Sequence, residues 1–370
     1  MMTAIEPGLK EYSVVFTDRS LNHMSAQFQQ TMRELHQGLC DTYRAASCVL
    51  IPGGGSYGME AVARQFGRQG RNAVIRNGWF SYRWTQIFEA IAPDQAPTVL
   101  KANRQDSGAQ SAFSPVPLDE VLTFIQEHKP ACFFAAHVET AAGLMLPDDY
   151  IRAIGAAVQK NGGLFILDCV ASGAIWIDME DLNVDVLLTA PQKGWSSTPS
   201  AGIVMLRDRA LDQMAQSPGS GSFVVDLAKW HQIMQAYLDG GHAYHATMPT
   251  DGLVHFQQNL QETFAFGLEN AKAAQQELGQ RVRTLLEGHG FESVSAKGFQ
   301  APSVVVSFAP DDHMKSGKWF AERGMQIAAG VPLALDEGPD YRSFRIGLFG
   351  LDKLKDVPGT VSQLAATLET

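Results

Sequence analysis

The sequence lacks the features that mark several classes of protein. In its 370 residues, no apolar run reaches the roughly 18–20 residues that a membrane-spanning helix needs. The N-terminus reads MMTAIEPGLKEYS, with an early glutamate and no apolar core, so we expect no secretory signal. Lys and Arg number 29 against 39 for Asp and Glu, a net charge of −10, whereas nucleic-acid binders depend on clustered cations. We therefore expect a cytoplasmic protein that binds neither membranes nor nucleic acid.

Cysteine is scarce, and its spacing supports neither a metal site nor a disulfide framework. The four cysteines form no CxxC pair, which a structural zinc site would need. Cys48, Cys132 and Cys169 lie in or beside apolar runs, so we expect buried, reduced thiols. The ten histidines include no HExxH or HxxxH set. The sequence therefore predicts no metal.

The first 210 residues alternate short apolar runs with longer amphipathic segments. Nearly continuous apolar runs are typical of strands that are covered on both faces. We predict strands at residues 47–51, 72–76, 97–100, 131–135, 163–167, 185–189 and 202–206, and helices at 57–69, 79–90, 118–127 and 147–160. This alternation indicates an α/β domain with a mostly parallel sheet.

The pattern changes from about residue 250. Residues 253–286 have helical spacing without proline, and further helices are predicted at 316–322 and 351–368. Strands are predicted only at 303–308 and 344–347. Fewer strands with helices between them suggest a smaller α+β domain. We therefore predict a large domain at 1–260 and a small C-terminal domain at 261–370.

One lysine occupies an unusual position. The segment LTAPQKGWSS, residues 188–197, places Lys193 in a turn directly after a predicted buried strand. A lysine whose pKa is lowered by burial can form a Schiff base with an aldehyde. A solvated turn lysine explains the same pattern, so this segment alone does not decide.

Three further segments contain residues with two interpretations each. Asp168 ends the apolar run LFILD, where a carboxylate can meet a bound ligand at the sheet edge or cap a helix. The glycine-rich turn IPGGGSYGME, residues 51–60, can cradle an anion or simply turn the chain. Arg345 in FRIGLFG can clamp a substrate carboxylate or form an internal salt bridge.

Together these segments resemble a known family, the class V aminotransferases of fold type I and of the alanine–glyoxylate and serine–pyruvate type. The matching stretches, in the family's order from about residue 49 to 351, are GGGSYGME, NGWFSYRW, HVETAAG, LDCVAS, APQKGW, YHAT and FRIGLFG. The resemblance implies a large domain with a mostly parallel seven-stranded sheet between helices, plus a smaller C-terminal α+β domain. It also implies pyridoxal 5′-phosphate (PLP) as cofactor and a homodimer with shared active sites.

The resemblance also assigns roles to individual residues. Lys193 and Asp168 would be catalytic, the first carrying PLP as a Schiff base and the second pairing with the pyridinium nitrogen. Arg345 would bind the substrate's α-carboxylate. The other cofactor-binding positions would be Gly55, Ser56, Tyr57 and Gln192 at the phosphate, Tyr244 and Thr247 at the neighbouring subunit's phosphate, Phe80 and Val170 on the ring faces, and Thr140 at the phenolic oxygen.

The implied reaction moves an amino group from a small amino acid to a 2-oxo acid such as glyoxylate or pyruvate, with ping-pong kinetics. The sequence departs from the family near its N-terminus. Where relatives often have Pro-Gly-Pro, residues 16–23 read FTDRSLNH. An Arg or Asp of this polar stretch can recognise a second polar group of the substrate, but we expect the stretch to face solvent or the partner subunit.

Two other functions remain open on the sequence. A PLP-dependent lyase of the β-lyase or desulfurase type shares this fold, although a desulfurase needs a nucleophilic cysteine in a mobile loop and no cysteine here has that setting. A non-enzymatic PLP-fold binding protein would usually have lost the lysine, and Lys193 is present.

Overall fold

The computed structural model describes residues 9–68, 70–108 and 110–369. In this part of the chain the strands are β1 (Ser47–Pro52), β2 (Asn72–Arg76), β3 (Thr98–Lys101), β4 (Asn103–Arg104), β5 (Phe113–Ser114), β6 (Cys132–Ala136), β7 (Val138–Glu139), β8 (Leu144–Met145), β9 (Leu164–Asp168), β10 (Val186–Thr189), β11 (Ala201–Leu206), β12 (Val304–Phe308), β13 (Ala328–Ala329) and β14 (Ser343–Gly347).

The helices are α1 (Ala26–Tyr43), α2 (Gly55–Phe66), α3 (Trp79–Ile91), α4 (Leu118–His128), α5 (Asp148–Lys160), α6 (Asp208–Gln216), α7 (Leu227–Leu238), α8 (Thr250–Phe266), α9 (Leu268–Gly288), α10 (Asp312–Lys315), α11 (Lys318–Ala321), α12 (Leu351–Lys355) and α13 (Val357–Glu369). A 3₁₀ turn occupies Pro93–Gln95. In the described ranges, no helix has both the length and the apolar character that crossing a bilayer requires.

The central sheet has seven strands in the order β1-β11-β10-β9-β6-β2-β3. Strand β11 is antiparallel to both of its neighbours, and the other pairs, from β10 to β3, are parallel. Because β1 and β10 both run against β11, they point the same way. The prediction of a mostly parallel seven-stranded sheet between helices is confirmed.

The predicted strands match the structure closely, whereas the predicted helix ends do not. The seven strands predicted before residue 210 all lie in this sheet, with ends within one residue of the predictions, and the two strands predicted at 303–308 and 344–347 lie in a separate three-stranded sheet. Residues 253–286, predicted as one helical stretch, form two helices because Gly267 adopts a φ of 95° that ends α8. Residues 351–368 are likewise divided between α12 and α13. Residue 69, the predicted end of α2, lies outside the described residues.

Three helices of the large half were not predicted: α1, α6 and α7. The first begins at the N-cap Ser25, whose side chain accepts a hydrogen bond from the Phe28 amide. Residues 316–322 were predicted as one helix, but Gly317 adopts a φ of 78° and separates the short helices α10 and α11.

The buried apolar residues form three clusters: a large core around the seven-stranded sheet, a second core in the C-terminal part, and a third cluster with residues from both parts of the chain. In the second core, β12 and β14 of a three-stranded sheet contribute Val305, Phe344 and Ile346, which pack with Leu278 of α9. The division of the chain at residue 260 stays a prediction.

Candidate active site

The candidate site lies where five parallel strands end. Because β1, β2, β6, β9 and β10 point the same way, their carboxyl ends meet at one edge of the sheet. The chain that follows these ends carries most of the predicted site residues. Ligands of open α/β sheets bind at this edge.

A cavity of about 230 Å³ opens at this edge. It is lined by Gly55, Ser56, Met59, Phe80, Arg83, Val138, Thr140, Asp168, Val170, Ala171, Gln192 and Lys193. The structure thus brings together most of the residues to which the sequence analysis assigned cofactor contacts. Four other lining residues had no role predicted from the sequence: Met59, Arg83, Val138 and Ala171.

The glycine-rich turn after β1 forms a narrow cradle. Gly53 adopts a φ of 129°, and a β-carbon at this position would lie 2.6 Å from the Tyr57 ring. A β-carbon on Gly55 would lie 2.9 Å from a methyl group of Val170. Glycine is therefore required at both positions, and the first amides of α2 border the cavity, where a helix N-terminus favours an anion.

Two neighbours fix the loop that carries Lys193. The Trp195 side chain is fully buried and stacks on Trp176 with ring centroids 4.3 Å apart. Ser196 has a left-handed φ of 57°. Its carbonyl accepts a hydrogen bond from the side-chain amide of Asn259 (2.9 Å), and its hydroxyl accepts one from the backbone amide of Leu351 (2.6 Å). These contacts hold a strained turn in place, so the lysine is presented on a rigid support.

The environment of Lys193 favours a neutral amine. Burial lowers the pKa of Lys193, and the positive charge of Arg345 lowers it further, whereas Asp168 acts in the opposite direction. The lysine nitrogen lies 4.6 Å from the centroid of the Phe349 ring. A neutral amine is the form that attacks an aldehyde or accepts a proton.

Asp168 ends β9 and is buried at the cavity. One of its carboxylate oxygens accepts a hydrogen bond from the Val170 amide at 2.9 Å. Burial raises the pKa of Asp168 to about 6, and the carboxylate of Glu139 raises it too, while Val170, Arg83 and Lys193 lower it. Such a carboxylate gains from a cationic partner, because burial without one is costly.

The first turn of α3 is held by a buried carboxylate that the sequence analysis did not identify. Glu139 accepts hydrogen bonds from the amides of Phe80 (3.2 Å) and Ser81 (2.8 Å) and from the Ser81 hydroxyl (2.7 Å). It also accepts one from the Ala141 amide (2.9 Å). A carboxylate at a helix N-terminus is stabilising, and here it fixes the turn that carries Phe80. The matching stretch HVETAAG contains Glu139, but nothing in its spacing indicates this contact.

Arg345 lies beside the cavity with its guanidinium 5.7 Å from the Phe80 ring centroid. Its Nε donates to the carbonyl of Ala329 at 2.8 Å. Among the described residues no carboxylate forms a salt bridge with Arg345. The internal salt bridge that the sequence left open is thus not formed within the described chain, and the terminal nitrogens remain for a ligand.

Three predicted cofactor residues lie apart from this cavity. Tyr57 is half exposed, at 51%, although it belongs to the first turn of α2. Tyr244 is 53% exposed, and its hydroxyl is 3.1 Å from that of Thr247. Tyr244 instead lines a second cavity, of about 430 Å³, together with His23 and His242. Within one chain, the structure does not bring these hydroxyls to the Lys193 site.

The residues of the Lys193 cavity fit PLP. The cradle at Gly55 and Ser56 suits a phosphate, and Asp168 suits a protonated ring nitrogen. The buried Oε1 of Gln192 has no hydrogen-bond partner, so this amide is free to turn its nitrogen toward an anion. Phe80 and Val170 line the cavity as apolar walls for a flat ring.

Comparison with known proteins identifies the family of the chain and its fold. The family model described as "Aminotransferase class-V" matches residues 2–336. A 2-aminoethylphosphonate–pyruvate transaminase of Burkholderia ambifaria is 27% identical over 328 residues, which are 87% of this chain and 82% of the relative. An alanine–glyoxylate aminotransferase of Oryctolagus cuniculus is 25% identical over 362 residues, covering 94% and 86%. The crystal structure of an alanine–glyoxylate aminotransferase from Nostoc sp. has a TM-score of 0.78 at 21% identity, covering 95% and 88%, and shares the fold.

Proposed function

This chain belongs to the class-V aminotransferase family, and from that premise we propose that it transfers the amino group of a small amino acid to a 2-oxo acid such as glyoxylate or pyruvate. One observation carries the proposal. A lysine of lowered pKa and a buried carboxylate line one cavity, at the ends of the adjacent parallel strands β9 and β10. This pair is what a PLP-dependent transfer of an amino group requires.

The cofactor of the chain is PLP, as in its family. When bound, it supplies an electron sink for the charge left when a proton leaves the donor's α-carbon. Lys193 would hold it covalently, and the cradle at Gly55 and Ser56 would bind its phosphate. Gln192 would add a donor to the phosphate, and Thr140 would bind the phenolic oxygen. Phe80 and Val170 would hold the ring between them.

The chain's own residues would then perform the proton chemistry. The Lys193 nitrogen would take the proton from the donor's α-carbon, and its lowered pKa keeps a larger fraction of it neutral. Asp168 would keep the ring nitrogen protonated by charge pairing. Arg345 would hold the substrate carboxylate with two parallel hydrogen bonds and so orient the α-carbon toward Lys193.

The relatives support the type of acceptor. One is named for pyruvate and another for glyoxylate, both small 2-oxo acids. The same names give two different amino donors, alanine and 2-aminoethylphosphonate. The free terminal nitrogens of Arg345 suit the carboxylate of an α-amino acid donor.

The burial of the cysteines argues against a desulfurase, which needs a reactive thiol. All four are free and buried, and none lines the Lys193 cavity as described. Burial raises the pKa of the Cys40 and Cys132 thiols to about 12 and that of Cys48 and Cys169 well above its usual range. The thiolate is the nucleophilic form, so these thiols are inert at neutral pH.

A second copy of the chain would complete the site. We propose a homodimer in which Tyr244 and Thr247 bind the phosphate of the partner subunit's cofactor. Exposed apolar residues surround this segment, including Phe223 at 71%, and Val14 and Val15 line the second cavity beside Tyr244. His245 joins the segment to Phe223 through a 2.6 Å contact with its carbonyl oxygen. Exposed apolar side chains beside one segment are typical of an interface.

We also propose a cytoplasmic location. It is supported by the four free, buried cysteines, since unpaired thiols are typical of reducing compartments.

A panel of amino donors and acceptors tests the reaction. Purified protein is loaded with PLP and mixed with alanine, serine, glycine, aspartate and 2-aminoethylphosphonate in turn. Loss of the visible band of the lysine-bound cofactor, with gain of the near-ultraviolet band of its amine form, identifies donors. Adding glyoxylate or pyruvate should then restore the visible band. If no donor gives this reversible exchange, and ammonia is released instead, the protein is a lyase.

A further inference from the structure

Arg83 is a cation of the Lys193 cavity to which the sequence analysis gave no role. Its side chain is half-buried and lines the cavity. One terminal nitrogen donates to the Ser56 hydroxyl at 2.8 Å. Across the described residues it forms no salt bridge with a carboxylate. Since a guanidinium has five N–H donors, most of them remain for a ligand at the cradle.

The charges of the site leave room for more than one anion. Lys193, Arg83 and Arg345 bring three basic side chains to the cavity and its border. The nearby carboxylates are Asp168 and Glu139, and Glu139 is already occupied by four hydrogen bonds, mostly from the first turn of α3. A substrate carboxylate on Arg345 would balance one cation, and Arg83 would still lack its own counter-ion.

We infer that Arg83 binds the phosphate of PLP, sharing it with the amides and hydroxyl of the Gly55–Ser56 turn. The inference rests on the proposed function, because it requires PLP in this cavity. The Ser56 hydroxyl that accepts from Arg83 belongs to the first turn of α2, so the guanidinium already lies at the position where that helix favours an anion. A phosphate monoester is largely dianionic at neutral pH and matches the planar fork of an arginine.

Helix α3 places this cation together with the aromatic wall. Phe80 and Arg83 are three residues apart and so lie on one face of the helix, with the guanidinium 5.1 Å from the ring centroid. Glu139 fixes the turn that carries Phe80. The first turns of α3 would therefore place the Phe80 ring against the cofactor's ring and the Arg83 guanidinium at the cofactor's phosphate. The sequence signal is the arginine of NGWFSYRW, a stretch that the resemblance included.

The alternative is that Arg83 binds a second anionic group of the substrate. Comparing PLP with pyridoxal separates the two roles, because pyridoxal has the same aldehyde and ring but no phosphate. The affinity of each for cofactor-free protein is measured from the visible band of the lysine-bound form, in wild type, Arg83→Gln and Arg83→Lys. The affinity of inorganic phosphate is measured independently by calorimetry.

We expect Arg83→Gln to weaken PLP and inorganic phosphate by about 10- to 100-fold, the usual loss for a charge-assisted pair, and to leave pyridoxal unchanged. Arg83→Lys should recover part of the loss, since it restores the charge without the fork. The matched control is Arg64→Gln on α2, whose arginine pairs with Glu60; it should change none of these affinities. Melting curves of the cofactor-free variants check that they are folded.

An unchanged ratio of PLP to pyridoxal affinity in Arg83→Gln, with unchanged phosphate binding, overturns the inference. A raised Michaelis constant for a dianionic donor with that ratio unchanged assigns Arg83 to the substrate and also overturns it. Both results leave the proposed aminotransferase function standing. That function is refuted only if the wild-type protein forms no visible band with PLP or exchanges no amino group.

Discussion

The amine of Lys193 lies 4.6 Å from the centroid of the Phe349 ring, so the C-terminal part of the chain contacts the proposed cofactor lysine. The two are further linked because the Leu351 amide, two residues beyond Phe349, donates to Ser196 in the lysine's own loop. A ring face attracts a cation, so Phe349 opposes the burial that favours the neutral amine.

Removing this ring should therefore lower the pKa of Lys193 further. We expect Phe349→Leu to speed the association of PLP with cofactor-free protein about two- to fivefold at a pH below the lysine pKa, with little change at high pH. The measurement is the stopped-flow association rate as a function of pH. Trp319→Leu, which removes a ring that instead faces Arg323, is the control. A pH profile identical to wild type would show that the ring does not influence the amine.

Asp168→Asn should make the cofactor-free protein more stable and, at the same time, lower its turnover. Burial raises the pKa of Asp168 from 3.8 to about 6 in the cofactor-free fold, so the folded chain loses stability as pH rises through this window. Above pH 6 the asparagine variant should be more stable by up to about 2–3 kcal/mol, and this advantage should vanish below pH 4. Urea unfolding at several pH values measures it.

The same variant should lose turnover by orders of magnitude, because a neutral amide does not keep the ring nitrogen protonated. PLP affinity of the wild type should fall as pH drops below about 6, where Asp168 becomes protonated. The variant should show a smaller fall, because only the lysine and the cofactor's phosphate then gain protons. Near-normal turnover in Asp168→Asn would remove the residue from the mechanism.

Arg345→Ala should raise the Michaelis constant for every α-amino acid donor, at a cost of about 2 kcal/mol or more in substrate binding, while PLP still binds. Arg345→Lys should recover only part of the loss, because lysine lacks the planar fork. Arg342→Ala is the control, since Arg342 is on the same segment and pairs with Asp312. If the alanine variant instead loses PLP or unfolds, Arg345 is structural.

Mixing two defective chains should restore activity if the sites are shared. In a dimer of one Lys193→Ala chain and one Tyr244→Ala chain, one site contains both defects and the other contains neither. Random assembly from equal amounts should therefore give about a quarter of the wild-type sites. Activity after co-expression, with the dimer verified by light scattering, tests this. No recovery in verified mixed dimers would place Tyr244 in its own subunit's site, and an active monomer would refute sharing.

The strands and the residues at their ends could be predicted because the signal is local. The runs at 164–167 (LFIL) and 186–188 (VLL) are continuously apolar, so the positions of Asp168 and Lys193 at one sheet edge follow from the topology. The resemblance added Phe80, Thr140 and Gln192, which the structure brings to the same cavity.

What the sequence did not reveal depends on contacts between distant segments. Glu139 acts on the α3 turn 59 residues away, Phe349 packs over Lys193 across the chain, and Arg83 reaches Ser56 on another helix. The break at Gly267 was missed because glycine is tolerated inside a helical pattern and only its φ of 95° ends the helix. Such roles are set by tertiary packing, which periodicity does not report.

The most direct test of the account is to identify the residue that carries the cofactor. Protein loaded with PLP is reduced with borohydride, which makes the carbon–nitrogen bond permanent, and is then digested and mapped by mass spectrometry. The account predicts that the label lies on Lys193 alone and that folded Lys193→Ala shows neither the label nor the visible band. Stoichiometric labelling of a different lysine, or an unchanged band in Lys193→Ala, would contradict it.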